Sequence, residues 1–511
     1  MKPAQGAATG PTRSVWMTLE PFVAPALDAS IEADVVITGA GIAGLSVAYE
    51  LAVAGRSVVV LDPGPIGGRL AARTSGQLGF EADDLYAHLI KRRGLDEARQ
   101  IHLSQRAAVD RVEQIVREEG IDCGFARVDG YLIPADVEGR ELIDPEYEAC
   151  RQVGLTDVAY ADDAPIAGVD TGACLRFPDQ ARLDPARYCR GLAQRLQSRG
   201  VRFFADTTVV DLEEQPERVR LRTATGHTIF AEAVVVATAS PLDERIALDK
   251  KQVAYRTYLL AARTPKGASP DILLWDTASP QHQVRLLPGA EDDLLIIGGE
   301  DHRLGREDDA EERFARLELW ARGRYPEMGE SVMRWSGTVY EPTDHAPFIG
   351  QNPGSERVYV VTGDSRQALT TGAASGLILS DLIQGRASPW AAAYHPGRKP
   401  MKALGDVFKD NFDAAATFVE QVTGSDAVDP QSLEPGQGGV IKSGSGRAAA
   451  YREEDGSLTL LSAACTHGSC TVQFNSLERS WDCPCHGCQY GLDGTVLNGP
   501  AHEPLPQAPG G

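Results

Sequence analysis

A glycine turn between two apolar segments constrains the fold of this chain more than any other feature. Residues 33–63 read ADVVITGAGIAGLSVAYELAVAGRSVVVLDP, in which an apolar strand, a turn, a helix of small residues and a second apolar strand follow one another. This order predicts a βαβ unit. We therefore expect an α/β domain built on parallel strands.

The turn itself, GAGIAG, has the spacing of a dinucleotide-binding site. Gly39 permits a tight turn, Gly41 lets the backbone approach a pyrophosphate, and Gly44 lets the helix pack closely on the strand. The helix N-terminus adds amide donors and a positive dipole end. Asp62 follows Gly44 by eighteen positions, where a carboxylate can bind ribose hydroxyls. FAD and NAD both fit this pattern, but no second GxGxxG follows, which argues against a separate NAD(P)H domain.

A second site is indicated near the C-terminus by CTHGSCTVQFNSLERSWDCPCHGCQY, residues 465–490, which holds five of the nine cysteines. Cys465 and His467 form a CxH pair, and Cys483 and His486 form a CxxH pair. Two cysteines and two histidines suit tetrahedral zinc. The extra cysteines leave a disulfide knot and a redox cluster as alternatives. The other four cysteines are scattered, as is typical of thiols in a reducing compartment.

Size and charge limit the classes of partner. The chain has 511 residues, which is longer than a domain with a single hydrophobic core usually is. Of these residues 42% are hydrophobic, enough to form a large core. A net charge of -22 argues against nucleic acid and anionic membrane surfaces as partners. There is no apolar run long enough for a membrane anchor and no secretory signal. We therefore expect a cytoplasmic protein.

Two segments around the glycine turn resemble the D-amino-acid oxidase or glycine oxidase type of flavoprotein. GPIGGRLAARTSGQLG, residues 64–79, is similar to the family's segment beneath the flavin ring, and YVVTGDSRQALTTGAASGLILSDL, residues 359–382, is similar to its final strand and helix. The resemblance implies FAD, bound in an α/β Rossmann-like domain that is interleaved with an antiparallel-sheet substrate domain. It places further cofactor contacts at Arg69, Thr74, Ser75, Gly363 and Thr370. Arg366 and Ala368 depart from the family, which usually has glycines there.

The resemblance also implies that the substrate domain covers the flavin with side chains of its antiparallel sheet. An arginine among tyrosines would suit a carboxylate; the alternative is that Arg285 and His302 are ordinary residues of the surface or of the layer that supports the site. No lysine occurs from Gly267 through Arg398, although relatives commonly use one to promote reaction with oxygen. The predicted catalytic residues are Tyr255, Arg285, His302 and Tyr340, with Tyr258 as a neighbour.

The cysteine-rich segment resembles a Rieske [2Fe-2S] domain, as WDCPCHG and the later NGPA turn indicate. The resemblance implies that two cysteines bind one iron and two histidines the other. It also implies a donor to a ligand sulfur at Tyr490. Cys488 departs from the family, which commonly has a serine there. The implied cluster ligands are Cys465, His467, Cys483 and His486, and the implied disulfide joins Cys470 to Cys485.

These resemblances and the changes of composition predict the domain organisation. The predicted parts are an N-terminal lead over 1–32, an oxidoreductase domain over 33–390, a linker containing a helix over 391–434, and an all-β Rieske domain over 435–511. Within the oxidoreductase domain we expect FAD-binding parts at about 33–90, 175–242 and 336–390, and substrate parts at about 91–174 and 243–335.

The two sites together predict an electron relay. Only about twenty residues follow Tyr490, with His502 alone among them as a histidine, so no mononuclear iron domain follows. The order of the two halves, with WDTASPQHQVRL and IIGGEDH, resembles bacterial FAD-dependent oxidoreductases that carry a C-terminal Rieske domain. We expect oxidation of a small amine or amino-acid-like substrate, with electrons passing to an unidentified acceptor. The alternatives are a non-turnover electron-transfer or redox-sensing flavoprotein and an oxidase with a structural cluster.

Overall fold

The structure is a computed structural model that describes residues 12–239, 248–398, 427–444 and 446–508. The helix that the sequence predicts around residues 410–424 lies outside the described residues, as does the start of the N-terminal lead. The helices are α1 Ile42–Val53, α2 Tyr86–Arg93, α3 Leu95–Glu119, α4 Val137–Arg140, α5 Ile143–Val153, α6 Pro185–Ser198, α7 Ala310–Arg324, α8 Ala368–Ile383 and α9 Ala391–Tyr394.

The strands fall into four sheets. In chain order they are β1 Ile31–Thr38, β2 Val58–Leu61, β3 Gln77–Leu78, β4 Ala126–Ile133, β5 Ala159–Ala161, β6 Cys174–Arg182, β7 Arg202–Phe204, β8 Val209–Glu214, β9 Val219–Thr223, β10 Thr228–Ala239, β11 Gln252–Pro265, β12 Leu273–Asp276, β13 Gln283–Leu287, β14 Asp292–Arg303, β15 Ser331–Pro342, β16 Phe348–Gln351, β17 Val358–Thr362, β18 Gly438–Ser443, β19 Gly446–Arg452, β20 Leu458–Ser462, β21 Gln473–Asn475, β22 Ser480–Asp482, β23 Gln489–Tyr490 and β24 Val496–Asn498.

The first sheet carries the glycine turn. Its strands lie in the order β16-β17-β10-β1-β2-β7, with β9 beside β10 and β8 beside β9. β1 pairs in parallel with both β2 and β10, and α1 joins β1 to β2, as the βαβ pattern predicts. Val35, Val36 and Ile37 are fully buried because helices cover one face of the sheet and the β8-β9 hairpin contributes to the other.

Small residues let two helices approach closely over this sheet. A Cβ added at Gly372 of α8 would lie 2.7 Å from Cγ2 of Ile42 in α1, and one at Gly376 would lie 2.9 Å from the backbone of Ser46. The close contact brings the N-terminus of α8 to the same edge of the sheet as the N-terminus of α1. The glycine turn and the segment after β17 therefore meet at one site.

The second sheet has nine strands in the order β15-β11-β14-β13-β12-β4-β6-β3, with β5 beside β6. Its longest pairings, β11 with β14 and with β15, are antiparallel. Phe314 and Leu317 of α7 pack against one face. The chain crosses between the two large sheets several times, because β3 to β6 and β11 to β15 belong to the second sheet and the strands between them to the first.

The C-terminal part is all-β and consists of the three-stranded sheet β18-β19-β20 and the four-stranded sheet β21-β22-β23-β24. Trp481, Tyr451 and Tyr490 are fully buried between them, with the cysteines of the cluster segment in the same core. Among the helices that the structure describes, none is both long and apolar enough to cross a membrane.

Candidate active site and metal centre

The glycine turn has the geometry of a pyrophosphate cradle. Gly39 has a φ of +101°, and a Cβ there would lie 2.3 Å from the carbonyl oxygen of Ala237. A Cβ at Gly44 would lie 1.9 Å from the carbonyl oxygen of Gly39, whereas one at Gly41 would meet no protein atom within 4 Å. Packing therefore requires glycine at positions 39 and 44, whereas Gly41 leaves open space before the first turn of α1.

The carboxylate at the end of β2 is held beside this turn. Asp62 accepts hydrogen bonds from the backbone N–H of Ala40, at 2.7 Å, and of Gly64, at 2.9 Å. The Arg69 guanidinium lies 3.9 Å from the same carboxylate. Burial raises the pKa of Asp62, while Arg69 and the two amides oppose that rise. Each carboxylate oxygen keeps a lone pair, so ribose hydroxyls can bind here.

A cavity of about 460 Å³ extends from the glycine turn along the edges of both large sheets. Residues of the first sheet and of β11, β13 and β15 form its walls, and residues 495–502 of the C-terminal domain close one side. The predicted cofactor residues Gly39, Gly41, Asp62, Arg69, Thr74 and Ser75 line it. The predicted cofactor residues Gly44, Gly363 and Thr370 do not line it, and Thr370 Oγ1 instead donates to the carbonyl of Gly79 at 2.6 Å.

Of the four predicted catalytic residues, all of which the structure describes, Tyr340 alone lines the cavity. Arg285 is 1% exposed and donates from one nitrogen to the carbonyls of Gly76 and Leu183, both at 2.7 Å. Its guanidinium also lies 5.2 Å from the ring centre of Trp16, and burial lowers its pKa to about 9. Arg285 therefore binds backbone carbonyls that shape the cavity wall from behind.

His302 and the two other tyrosines lie away from the cavity. Nε2 of His302 is 3.0 Å from the hydroxyl of Tyr258, and the two rings are stacked. Burial lowers the pKa of His302 to about 4, with Arg313 and Arg256 adding to the effect. Tyr255 is half-buried on β11 and pairs with residues of β14 and β15. The structure does not bring Tyr255, Arg285 and His302 together.

Sequence reasoning missed several residues that do line the cavity. Thr257 and Leu259 of β11, Gln283 of β13 and Thr338 of β15 face it, as does Asp364 after β17. Alternation along β11 would have distinguished residues 257 and 259 from 256 and 258. The signal is weak because β11 is buried on both faces over most of its length.

Arg366 is held by carboxylates at the end of the cavity. Its guanidinium lies 2.8 Å from Asp301 and 3.5 Å from Asp83. Burial acts to lower the pKa of Arg366, but Asp301 and Asp83 together raise it. Arg366 lines the cavity and is compensated by these acidic neighbours.

The residues implied as cluster ligands lie together in the C-terminal domain. The thiols of Cys465 and Cys483 share a hydrogen bond, and the rings of His467 and His486 have centres 4.8 Å apart. The Tyr490 hydroxyl is 3.1 Å from Sγ of Cys465. Both cysteines are buried, so two thiols lie in the core of the domain and the two imidazoles lie beside each other on the same pair of loops.

The remaining three cysteines of this segment lie close by. Cys470 and Cys485 form a disulfide with an S–S distance of 1.98 Å, which joins the two ligand-bearing loops. The thiol of Cys488 is buried beside those of Cys465 and Cys483 and interacts with both. A Cβ at Gly499 would lie 2.5 Å from Cα of Cys488, so the NGPA turn packs directly on the second loop.

The second ligand loop rests against the cavity wall. A Cβ at Gly487 would lie 2.7 Å from Cβ of Ala254 and 3.1 Å from Cε1 of Tyr340. The Tyr340 hydroxyl donates to the carbonyl of Gly487 at 3.5 Å. Tyr340 therefore lies between the large cavity and the loop that carries Cys483 and His486.

Two buried ion pairs fix this arrangement. The Arg73 guanidinium lies 3.1 Å from the carboxylate of Glu478, and their side chains are 2% and 0% exposed. Arg256 of β11 pairs with Asp482 of β22, and both are also buried. One pair joins the segment before β3 to the C-terminal domain, and the other joins β11 to it. The two pairs therefore hold the cavity and the cluster segment in one orientation.

Comparison with known proteins identifies a family for each of the two parts of the chain. The sequence matches the family described as FAD dependent oxidoreductase over residues 34–382 and the Rieske [2Fe-2S] domain over residues 426–509. The chain belongs to the FAD dependent oxidoreductase family. The Rieske 2Fe-2S iron-sulfur protein YhfW of Bacillus subtilis (strain 168) is 29% identical over 488 residues, which are 94% of each chain. Glycine oxidase of Bacillus licheniformis is 25% identical over 388 residues, 72% of this chain and 97% of its own.

The solved structure of glycine oxidase from Geobacillus kaustophilus superposes with a TM-score of 0.61 at 19% identity. It covers 72% of this chain and 99% of its own, and it confirms the predicted fold of the oxidoreductase domain. The predicted combination of an FAD-binding domain with a C-terminal Rieske domain is likewise confirmed.

The cofactors of this FAD dependent oxidoreductase are FAD and a [2Fe-2S] cluster. The residues present fit both groups. The open space at Gly41 and the carboxylate of Asp62 suit a dinucleotide, and the cavity is long enough to involve both large sheets. Two buried thiols opposite two imidazoles are the donor set of a Rieske cluster.

Proposed function

We propose that this FAD dependent oxidoreductase oxidises the C–N bond of a small amine or amino-acid-like compound and delivers the electrons through its [2Fe-2S] cluster to an external one-electron acceptor. The contact between Tyr340 and Gly487 carries the proposal. It supports electron transfer between the two cofactors because a single side chain separates the cavity from a ligand-bearing loop. The similarity to glycine oxidase supports an amine as the substrate class.

The chain's own residues divide the work of holding the two groups. Gly41 and the N-terminus of α1 would receive the pyrophosphate of FAD, and Asp62 its ribose. Cys465 and Cys483 would hold one iron of the cluster, with the two histidines on the other. When bound, FAD supplies two-electron chemistry and can release electrons singly.

The C-terminal domain also contributes to the cavity itself. Residues 495–502 line one side of it, and Arg69 donates to the carbonyl of Leu497. This segment therefore forms part of the surface that a cofactor or substrate would contact. Thr257, Gln283 and Thr338 offer hydroxyl and amide groups that can orient a small polar substrate.

The proposal is tested by comparing electron acceptors. We expect the holoprotein, given an amine that it oxidises, to reduce ferricyanide faster than oxygen. His486→Ala should lose ferricyanide reduction while the substrate still bleaches the flavin absorbance, and the control His227→Ala should behave like the unaltered protein. Rapid peroxide formation that is unaffected by His486→Ala would contradict the proposal and favour an oxidase with a structural cluster.

A further inference from the structure

Asp364 stands between the large cavity and a second, smaller one. It follows β17 and lines both, together with Ser365. The smaller cavity has a volume of about 20 Å³. A cavity of this size with polar walls can hold one water molecule. The carboxyl group of Asp364 therefore has the large cavity on one side and room for a water on the other.

From the smaller cavity, polar side chains continue to the protein surface. Asp83, Asp84 and His345 line it. Nδ1 of His345 lies 3.3 Å from Oδ2 of Asp84, and Oδ1 of Asp84 lies 3.4 Å from Nδ1 of His88. The side chains of Asp84 and His88 are 39% and 41% exposed. A proton entering the small cavity thus reaches solvent through contacts of hydrogen-bond length or slightly longer.

Several titratable groups face Asp364 and the small cavity. Burial lowers the pKa of His345, and the Asp84 carboxylate opposes that effect. Burial raises the pKa of Asp364 to about 7, and the Asp83 carboxylate adds to the rise. Glu341 lies 3.8 Å from His345, and burial followed by Asp83 raises its pKa to about 7 as well. Arg366 is the cation on this side, and its charge is compensated by Asp83 and by Asp301.

The proposed function creates a need for such a route, and the inference rests on that function. Conversion of a neutral amine to an iminium ion breaks one C–H bond and forms a C=N bond, releasing two electrons and one proton. Bound FAD would supply the acceptor for the electron pair and for this proton. The electrons then leave through the cluster to a one-electron acceptor, and the proton has to reach water by another path. In an oxidase the proton would leave with the electrons on reduced oxygen.

We propose that Asp364 accepts the proton in the large cavity and transfers it through a water in the small cavity to His345 and Asp84, which release it to solvent. Asp364 is the proton acceptor. His345 and Asp84 are relay residues that act through it.

The test follows protons and electrons in the same single turnover of the anaerobic holoprotein, with ferricyanide as acceptor and a pH-indicator dye in weak buffer. Asp364→Asn should slow proton release by on the order of a hundredfold. His345→Gln and Asp84→Asn should slow it in the same direction, and these two outer variants should not change the rate at which substrate bleaches the flavin. In the unaltered protein the release rate should rise with pH through about 7, because only the ionised carboxylate accepts a proton; Asp364→Asn should lose this dependence.

Glu146→Gln is the matched control. Burial raises the pKa of this carboxyl to about 7 too, but Glu146 lines neither cavity and accepts hydrogen bonds from Tyr86 and Ala87. Proton release should be unchanged in this variant. Without turnover, the infrared band of protonated carboxylic acids should lose the intensity of one group on Asp364→Asn.

The inference would be overturned if Asp364→Asn released protons at the unaltered rate. It would also be overturned if Asp364→Asn slowed the release while neither His345→Gln nor Asp84→Asn had any effect. Failure of the proposed function gives a different result. In that case substrate would not reduce the cluster of the unaltered protein at all, whereas the infrared assignment of Asp364 does not depend on substrate.

Discussion

Cys488 is the single residue that bears most directly on the properties of the cluster. Its thiol is buried in the same core as those of Cys465 and Cys483, the two cysteines implied as ligands, and interacts with both. A hydroxyl donates more strongly than a thiol, and hydrogen bonds to the sulfur atoms of such a cluster stabilise its reduced form. We expect Cys488→Ser to raise the reduction potential by on the order of 40 mV, which for one electron corresponds to about 1 kcal/mol.

Protein-film voltammetry measures this shift. Cys174→Ser serves as control because Cys174 is also buried but belongs to the second sheet, and its substitution should leave the potential unchanged. If the reduction potential of Cys488→Ser stayed constant or fell, the idea that the Cys488 thiol donates more weakly than a serine hydroxyl at this position would be wrong.

At the residue scale, the sequence resemblance locates the cluster site more closely than the substrate site. The residues implied as cluster ligands lie on two neighbouring loops, because the two short motifs are joined through the Cys470–Cys485 disulfide. The substrate-side residues come from separate strands of the second sheet, and no local pattern tells which face of a doubly buried strand meets the cavity. Arg285 illustrates this, since its guanidinium is used by two backbone carbonyls.

At the scale of elements, two glycines of the turn between β1 and α1 have different roles: Gly44 is needed for packing, and Gly41 for cofactor binding. Gly44→Ala should destabilise the protein by about 1–3 kcal/mol, because its Cβ would overlap the carbonyl of Gly39. Gly41→Ala meets no protein atom, so we expect the stability of the apoprotein to change by less than about 1 kcal/mol. FAD affinity should nevertheless fall at least about tenfold, or about 1.4 kcal/mol.

Denaturant unfolding of the apoprotein and FAD titration followed by fluorescence distinguish the two variants. If Gly41→Ala bound FAD as tightly as the unaltered protein, the assignment of this turn to the pyrophosphate would be wrong.

Most secondary-structure elements were predictable, for reasons that differ between them. The βαβ unit follows from uninterrupted apolar strands, and α7 follows from an apolar stripe at helical spacing in a charged segment. The order of strands in the second sheet was not predictable. β12 pairs in parallel with β4 and antiparallel with β13, and β4 is more than a hundred residues earlier in the chain. Such pairings depend on how the two large sheets interleave and leave no local pattern.

At the scale of the whole molecule, two buried ion pairs hold the C-terminal domain against the cavity. Removal of one partner from such a pair leaves an uncompensated buried charge, which typically costs about 3–5 kcal/mol. We therefore expect Glu478→Gln to lower the free energy of unfolding by about this amount, because it leaves the Arg73 guanidinium buried. Asp381→Asn, in the exposed pair with Arg386, should cost less than about 1 kcal/mol.

Urea unfolding followed by tryptophan fluorescence measures both changes. A small effect of Glu478→Gln, equal to that of the control, would mean that the two domains are not held together by this pair.

The central claim is that substrate electrons cross from the cavity to the cluster within one chain. Anaerobic addition of a candidate amine, followed by absorbance and electron paramagnetic resonance on the same sample, tests it most directly. We predict that the flavin absorbance bleaches and that the signal of a reduced Rieske cluster then appears without any added mediator. Full bleaching of the flavin in a protein that carries its cluster, with the cluster still oxidised and silent, would contradict the account.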